Sequence, residues 1–453
     1  VCVLVALADS TKLRTRACGV TPRMPWVQAA TGSLGQGLSG GVGLALAQTL
    51  GHSPGRTFVL MGDGECAEGA VWEAAGAAAH LKLKNLVAVI DVNRLGQSEA
   101  TMHGHDLGAY ARKFRAFGCT VHRVNGHDIP AILKVFRKVR VSDGPAVVLA
   151  KTVKGKGVSF IEDKNGWHGK PLKEEELQRA LQEVGPMPAV DSKKLVHSPK
   201  KALRPDWKKT FAFERTAYAD KTATRLAYGI ALEKLGRAND RVVALDGDVK
   251  NSTYAEKFFA SFPGRSFQSY IAEQNMVGMG LGMSIKGFIP FLATFAAFLT
   301  RAHDQIRMAA YSFANIKLCG SHVGVSIGED GPSQMGLEDL AVFRPIPGCV
   351  VLYPSDAFSA EACVEAAAQH QGLVYIRTTR PATRLLYSKE ESYHNEPVEL
   401  APLITEAIAS SPGLSADTEL NILQGTSVKA DREKLIRVIV NGIRNAADAM
   451  GDG

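Results

Sequence analysis

Phe58-Val59-Leu60-Met61-Gly62-Asp63-Gly64-Glu65 decides the fold of this 453-residue chain. Four consecutive apolar residues running into Gly-Asp-Gly describe a buried strand that ends in a tight turn. A strand without polar alternation belongs to a parallel sheet covered on both faces, whose ligand-binding loops leave the carboxyl edge. Working outward, residues 57–61 are expected as a strand and 72–80 as a helix, with further strands at 86–91 and 146–150. That alternation is the βαβ pattern. A second region repeats the device at Val243-Ala244-Leu245-Asp246-Gly247-Asp248, with strands expected at 241–245, 317–326, 350–353 and 373–377. The shared stretch hints at two copies of one architecture and is too short to establish duplication. The fold class is therefore α/β, with two doubly wound parallel-sheet domains at residues 1–184 and 221–402. The Pro- and Lys-rich segment 185–220 joins them, and a short helical tail fills 403–453.

Length alone calls for two or three domains. At 45% apolar and 22% charged the composition is globular. No apolar run reaches the roughly 18 residues of a membrane helix, so no membrane partner is expected. The first eight residues lack a basic leader and a small-residue cleavage site, so no signal peptide is expected. They also lack an initiator Met, as in a chain whose true beginning lies elsewhere. Seven scattered cysteines (Cys2, Cys18, Cys66, Cys119, Cys319, Cys349 and Cys363) form no CxxC pair. Zinc and disulfide frameworks are thereby disfavoured, and a reducing cytoplasm fits. The net charge of +8 is spread along the chain or gathered at 193–209. An anionic small substrate or a solvated basic surface explains it, and no nucleic-acid partner is expected.

The chemistry begins at Asp63. Thirty residues further on, the next strand ends in Asn93. Two neighbouring strand ends delivering a carboxylate and an amide oxygen suit octahedral Mg²⁺ bridging a diphosphate. Alone, Gly-Asp-Gly reads equally well as a tight turn. Set beside Glu68-Gly69, Trp72-Glu73-Ala74, Asn85-Leu86 and Asp91-Val92-Asn93-Arg94-Leu95-Gly96-Gln97-Ser98, it resembles the thiamine-diphosphate motif in its transketolase form. The similarity to the transketolase family runs over about residues 21–397.

That resemblance implies thiamine diphosphate and Mg²⁺ (or Ca²⁺ or Mn²⁺) as cofactors. Asp63, Asn93 and the Leu95 carbonyl would hold the metal, with Gly62, Gly64 and Glu65 beside the diphosphate. Ala30-Thr31-Gly32-Ser33-Leu34-Gly35-Gln36-Gly37 matches the family's glycine loop, which places Gly32, Ser33 and Leu34 at the cofactor; a packing cluster at a helix start is the other reading. Lys154-Gly155-Lys156-Gly157 and Trp167-His168-Gly169-Lys170-Pro171 resemble the loop over the cofactor, so Lys154 and His168 are carried over. Tyr270-Ile271-Ala272-Glu273-Gln274-Asn275-Met276 matches the segment of the activating glutamate, so Glu273 would shift the aminopyrimidine to the tautomer that deprotonates C2. A glutamate serving the dipole at a helix start is the alternative. Phe295 and Phe298, three apart and expected on one helix face, would hold the aminopyrimidine ring. Ser321-His322 and Gly328-Glu329-Asp330-Gly331-Pro332-Ser333-Gln334 follow. The family assigns His322 and Asp330 to sugar hydroxyls, and Arg225, Ser252 and Arg380 to the sugar phosphate. Catalytic roles fall to Glu273, His168 and His322.

The implied activity is transfer of a two-carbon ketol unit between sugar phosphates, in a homodimer with the cofactor at the interface. Deoxyxylulose-phosphate synthase and pyruvate dehydrogenase are disfavoured by residues 167–171 and 328–334. Two departures stand out. Cys18-Gly19-Val20 occupies the place of a Gly-His-Pro, so Gly19 replaces a histidine; the helices bearing two more are missing upstream. In place of the third domain, Asp431–Leu435, Asn441–Ala446 and Asp448–Met450 resemble the Mg-ATP helix of a histidine-kinase domain; an amphipathic helix explains them as well. The chain is thus expected to be truncated at both ends and to turn over poorly. A cofactor- or partner-binding fragment is the alternative function, with a sensor-kinase piece behind it. His103-Gly104-His105-Asp106 is not read as a metal site, and Asn125-Gly126-His127-Asp128 reads as a turn into a helix capped by Asp128.

Overall fold

Val59, Met61, Ile90, Val92 and Leu149 are fully buried, whereas Phe58 and Leu60 on the other face of their strand stay partly accessible. The computed structural model describes residues 29–186 and 210–388, with the strands Cys2–Val5, Pro397–Glu399 and Ser427–Lys429. In the first region β1 (Cys2–Val5), β2 (Thr57–Gly62), β3 (Leu86–Val92), β4 (Thr120–Asn125) and β5 (Ala146–Lys151) form one sheet in the order β1-β2-β3-β5-β4. Every pairing in it is parallel. Helices Gly37–Leu50 and Gly69–His80 are Ala- and Gly-rich and lie close on the sheet and on each other.

The second region opens on β6 (Lys221–Ala223) and builds a parallel sheet from β7 (Val242–Asp246), β8 (Ser266–Gln268), β9 (Ile289–Phe295), β10 (Lys317–Ser321), β11 (Val350–Leu352) and β12 (Val374–Arg377). Its order is β11-β12-β10-β9-β7-β8. β6 pairs antiparallel with β13 (Ala382–Arg384), apart from that sheet.

The strand expected over 317–326 stops at Ser321, because His322 takes a left-handed φ of 61° that extended backbone cannot continue. Phe295 and Phe298 do not share a helix. Phe295 is the last residue of β9, and Phe298 sits in the short 3₁₀ helix Ala297–Ala302. Gly19 and nearly all of 403–453 lie outside the described residues. Within the tail, β15 (Ser427–Lys429) pairs antiparallel with β14 (Pro397–Glu399), across the expected boundary at 402.

The two sheets are joined through a helix pair. Helix Gly37–Leu50 lies along helix Glu273–Ile285 so closely that backbone meets backbone. A Cβ on Gly43 would stand 2.0 Å from the Met279 carbonyl oxygen, and one on Gly282 would stand 2.1 Å from that of Gly40. Only glycine fits this contact, and it places the start of helix Glu273–Ile285 beside the first domain.

Candidate active site

β2, β3 and β5 end at one edge of the first sheet, and the loops leaving them enclose a cleft of about 1030 Å³. Gly32, Leu34, Gly62, Asp63, Gly64, Glu65, Asn93, Leu95, Lys154 and His168 all line it. Of the first-domain residues expected at the cofactor, Ser33 alone is absent; its hydroxyl donates instead to Asp304 of the second domain.

The Asp63 carboxylate is only 3% exposed. It accepts from the backbone N–H of Gly64 at 3.1 Å and of Arg94 at 2.9 Å, and from the Thr101 hydroxyl at 2.7 Å. Burial pushes its pKa up against those hydrogen bonds, and the charge of nearby Asp91 adds to the rise. A buried carboxylate crowded by another is the electrostatic signature of a place for a cation. The Asn93 amide is oriented for the same purpose: Nδ2 donates to Asp91 at 3.1 Å, and Oδ1 accepts from Leu95 N–H at 3.1 Å with a lone pair to spare. Thr152 donates to the other oxygen of Asp91. One carboxylate, one amide oxygen and a nearby carbonyl are hard donors that suit Mg²⁺, which keeps its other positions for phosphate and water. Among the described residues no three His, Cys, Asp or Glu side chains form a metal cage by themselves.

The phosphate side of the cleft is open backbone. A Cβ on Gly62 would meet only Glu65 Oε2 at 4.0 Å, and one on Gly64 only the Thr101 methyl at 3.7 Å. A diphosphate can therefore approach the chain where other residues would project side chains. Glu65 shapes this wall: its carboxylate accepts from Gly35 N–H at 3.0 Å and Gly62 N–H at 2.8 Å, joining the glycine loop to the end of β2. At the mouth, Lys154 Nζ lies 3.2 Å from His168 Nδ1. The Cys66 thiol faces the cleft but is inert, pushed up to about 12 by burial and by the Glu65 and Asp63 charges.

The expected second-domain residues gather elsewhere. The rings of Phe295 and Phe298 stack with centroids 5.2 Å apart, and Phe295 stacks on His322 at 3.8 Å. His322 is 2% exposed and its Nδ1 lies 3.0 Å from the Ser321 hydroxyl. Burial, then the Arg225 and Arg380 cations, lower its pKa to about 4, against the opposing Asp330 charge. Arg225 donates to the Ser252 carbonyl at 2.8 Å and the Arg380 carbonyl at 3.3 Å. Arg380 forks onto Asp330 at 3.1 Å and Glu329 at 2.9 Å. His322, Asp330, Arg225, Ser252 and Arg380 thus form one basic cluster behind the aromatic pair. Glu273 opens helix Glu273–Ile285, 3% exposed and 3.7 Å from Arg301. It is not a solvated helix-start glutamate. Glu73 approaches the same helix start by accepting from Asn275 N–H at 3.1 Å.

None of the second-domain residues lines the first-domain cleft. The expected site residues thus fall into two separate groups. Motif reading gave no role to Asp91, Thr101 and Thr152, which hold Asp63 and Asn93 by hydrogen bonds, Thr152 through Asp91; a hydroxyl behind a carboxylate leaves no signal in spacing. His103 and His127, in segments not read as metal sites, also line the cleft. His103 Nε2 lies 2.8 Å from Lys113 Nζ, and His127 Nε2 accepts from Val153 N–H at 2.8 Å. Asp128 caps its helix as expected, accepting from Ala131 N–H at 2.9 Å.

Residues 13–229 match the family described as transketolase, thiamine diphosphate binding domain, and residues 220–384 match transketolase, pyrimidine binding domain. The chain is 47% identical over 388 residues to transketolase-like protein 2 of Mus musculus, covering 82% of this chain and 60% of that protein. It is 46% identical over 378 residues to the Mus musculus transketolase, with the same coverage. It thus spans about 60% of the length of these relatives. Among solved structures, the transketolase of Pichia stipitis in complex with sedoheptulose 7-phosphate superposes with a TM-score of 0.73 at 22% identity, covering 86% of this chain and 70% of that one. This likeness supports the fold.

Proposed function

This chain belongs to the transketolase family, and on that premise we propose that it binds thiamine diphosphate with Mg²⁺ and transfers a two-carbon ketol unit from a ketose phosphate to an aldose phosphate. The observation that carries the proposal is the cleft at the end of β2, where hard-oxygen donors on Asp63 and Asn93 face glycine backbone open to a diphosphate. Asp63, Asn93 and the Leu95 carbonyl hold the metal in this reading, and Ca²⁺ or Mn²⁺ could serve as hard substitutes. Thiamine diphosphate, when bound, supplies a carbon that becomes a nucleophile on losing its C2 proton. Glu273, buried and beside Arg301, holds and exchanges the proton at the aminopyrimidine that makes this loss possible. Phe295 and Phe298, stacked on each other, would offer that ring an aromatic surface, and Lys154 and His168 would bind the diphosphate from the cleft mouth. Arg225 and Arg380 bind the sugar phosphate as planar forks, and Ser252 orients Arg225 through its carbonyl. His322 stays neutral through the physiological range, so it meets sugar oxygens without adding charge beside two guanidinium groups.

None of the second-domain site residues lines the cleft of the same chain, which supports a homodimer in which each cofactor lies between the first domain of one copy and the second domain of the other. Domain limits at 1–184, 185–220 and 221–402 remain our reading. The free thiols of Cys66, Cys119, Cys319, Cys349 and Cys363 fit a reducing compartment, and we place the protein in the cytoplasm. No helix among the described residues is long and apolar enough to cross a membrane. A second reading, cofactor binding with little turnover, is favoured by one sequence observation: Gly19 stands where the family places a histidine.

Titration with thiamine diphosphate tests the proposal. Mg²⁺-dependent quenching of protein fluorescence is expected in the parent and should vanish in Asp63→Ala, since burying a diphosphate without its cation is very costly. A variant that titrates like the parent refutes the site.

A further inference from the structure

We propose that Asp304 is a positioning residue: from the second domain, it fixes the glycine loop that walls the cofactor cleft of the first. The proposal rests on the reading of that cleft as the thiamine diphosphate site. The loop at residues 30–36 contributes Gly32 and the 41%-exposed Leu34 to the cleft, yet carries little side chain with which to hold itself. Its restraints come from outside. On the first-domain side, Glu65 takes the Gly35 N–H at 3.0 Å. On the other side, Oδ2 of Asp304 accepts both the Ser33 hydroxyl and, at 2.6 Å, the Gln36 Nε2. Its Oδ1 accepts from Arg307 at 2.5 and 3.1 Å, which fixes the carboxylate in orientation. Just beyond the same helix, Ser312 Oγ accepts from Ala30 N–H at 2.8 Å. Three loop residues are therefore tied to the segment 304–312, which lies about 270 residues further along the chain.

The Asp304–Arg307 pair is partly exposed and spaced i,i+3, so as an ion pair it contributes little. Its value lies in holding an acceptor for two loop donors. Burial alone pushes the Asp304 carboxyl up, but the hydrogen bonds from Ser33, Arg307 and Gln36 outweigh it and leave it below its usual range. The carboxylate is thus charged wherever the loop needs it, and charge-assisted bonds are the stronger kind. Helix His303–Tyr311 follows directly on Ala297–Ala302, the turn that carries Phe298. One rigid segment therefore sets both the aromatic pair and, through Asp304, the glycine wall.

Without this anchor the loop samples open positions, and apparent affinity falls by the fraction of time it is correctly placed. The test is the dissociation constant of thiamine diphosphate at saturating Mg²⁺, read by fluorescence quenching, in the full chain. Asp304→Ala should weaken binding by roughly ten- to hundredfold, the scale of one hydrogen bond to a charged acceptor, since Glu65 and Ser312 still restrain the loop. Ser33→Ala, a small change on the loop side that keeps the fold, should weaken it by less. The double variant should bind no more weakly than Asp304→Ala alone, because both act through one contact. Additive losses, or dissociation constants within twofold of the parent in both single variants, overturn the proposal. Asp63→Ala separates the two claims: if it binds like the parent, the cleft has been misread. If it loses binding while Asp304→Ala does not, Asp304 alone has been misassigned.

Discussion

His322 offers a test in which pH does the perturbing. Its pKa falls from 6.5 to about 4 in the folded chain, first because it is buried and then because Arg225 and Arg380 stand near. In the unfolded chain it titrates near its ordinary value of about 6.5. Between those limits the unfolded state binds the proton and the native state does not, so stability falls as the solution is acidified. At pH 7 both states are mostly neutral and this group adds little to the slope. By pH 4.5 about three-quarters of the shift is expressed, costing about 2.5 kcal/mol at 1.36 kcal/mol per pKa unit. His322→Asn removes the titration while tolerating the left-handed backbone at this position. The variant loses the stacking on Phe295 and will be less stable at pH 7, so the informative quantity is the change between pH values. Asp246, pushed up to about 6 by burial, has the opposite slope, but it is common to both proteins and cancels. Denaturant midpoints at pH 7 and 4.5 should show the parent losing about 2.5 kcal/mol more than the variant. Equal losses would refute the claim that His322 is held neutral, and with it the assigned manner of meeting sugar oxygens.

Gly282→Ala should separate the two domains slightly. Its Cβ would begin 2.1 Å from the Gly40 carbonyl oxygen, so the helices must part by about 1 Å, at about 1–3 kcal/mol of stability. A denaturant midpoint equal to the parent's would show that the helix pair is looser than drawn here. Glu273→Gln keeps volume and some hydrogen bonding but loses proton exchange. Deuterium exchange at C2 of bound thiamine diphosphate, followed by NMR, should slow by about 10²–10⁴ while affinity changes little. Unchanged exchange would return Glu273 to a structural role.

β9 (Ile289–Phe295), apolar and buried throughout, was not expected as a strand, while most other long strands were legible because buried parallel strands read as uninterrupted apolar runs. β4 was not, since Thr-Val-His-Arg-Val-Asn lies at the sheet edge and keeps His122 and Arg123 partly solvated. Asp63 and Asn93 could be brought together from sequence because each follows directly on a strand of the same sheet edge. Phe295 and Phe298 were recognised as a pair and given the wrong scaffold, because three-residue spacing suits a helix as well as a strand leading into a turn. Ser33 was expected at the cofactor because it lies in the glycine loop. Its true partner, Asp304, is 271 residues away, a distance at which spacing carries no information. Nor could composition reveal that the second-domain residues stay out of the first-domain cleft, which only the lining of that cleft shows.

Mixing two broken copies addresses the shared site most directly. Asp63→Ala destroys the metal half-site and Glu273→Gln the activating half-site, so neither homodimer should promote C2 exchange of thiamine diphosphate. When the two are unfolded together and refolded, about half of the dimers are mixed, and each mixed dimer holds one site built from two intact halves. Roughly a quarter of parental exchange should then return. If refolded mixtures stay as inactive as either variant alone while sedimenting as dimers, each cofactor lies within a single chain and the shared site is contradicted.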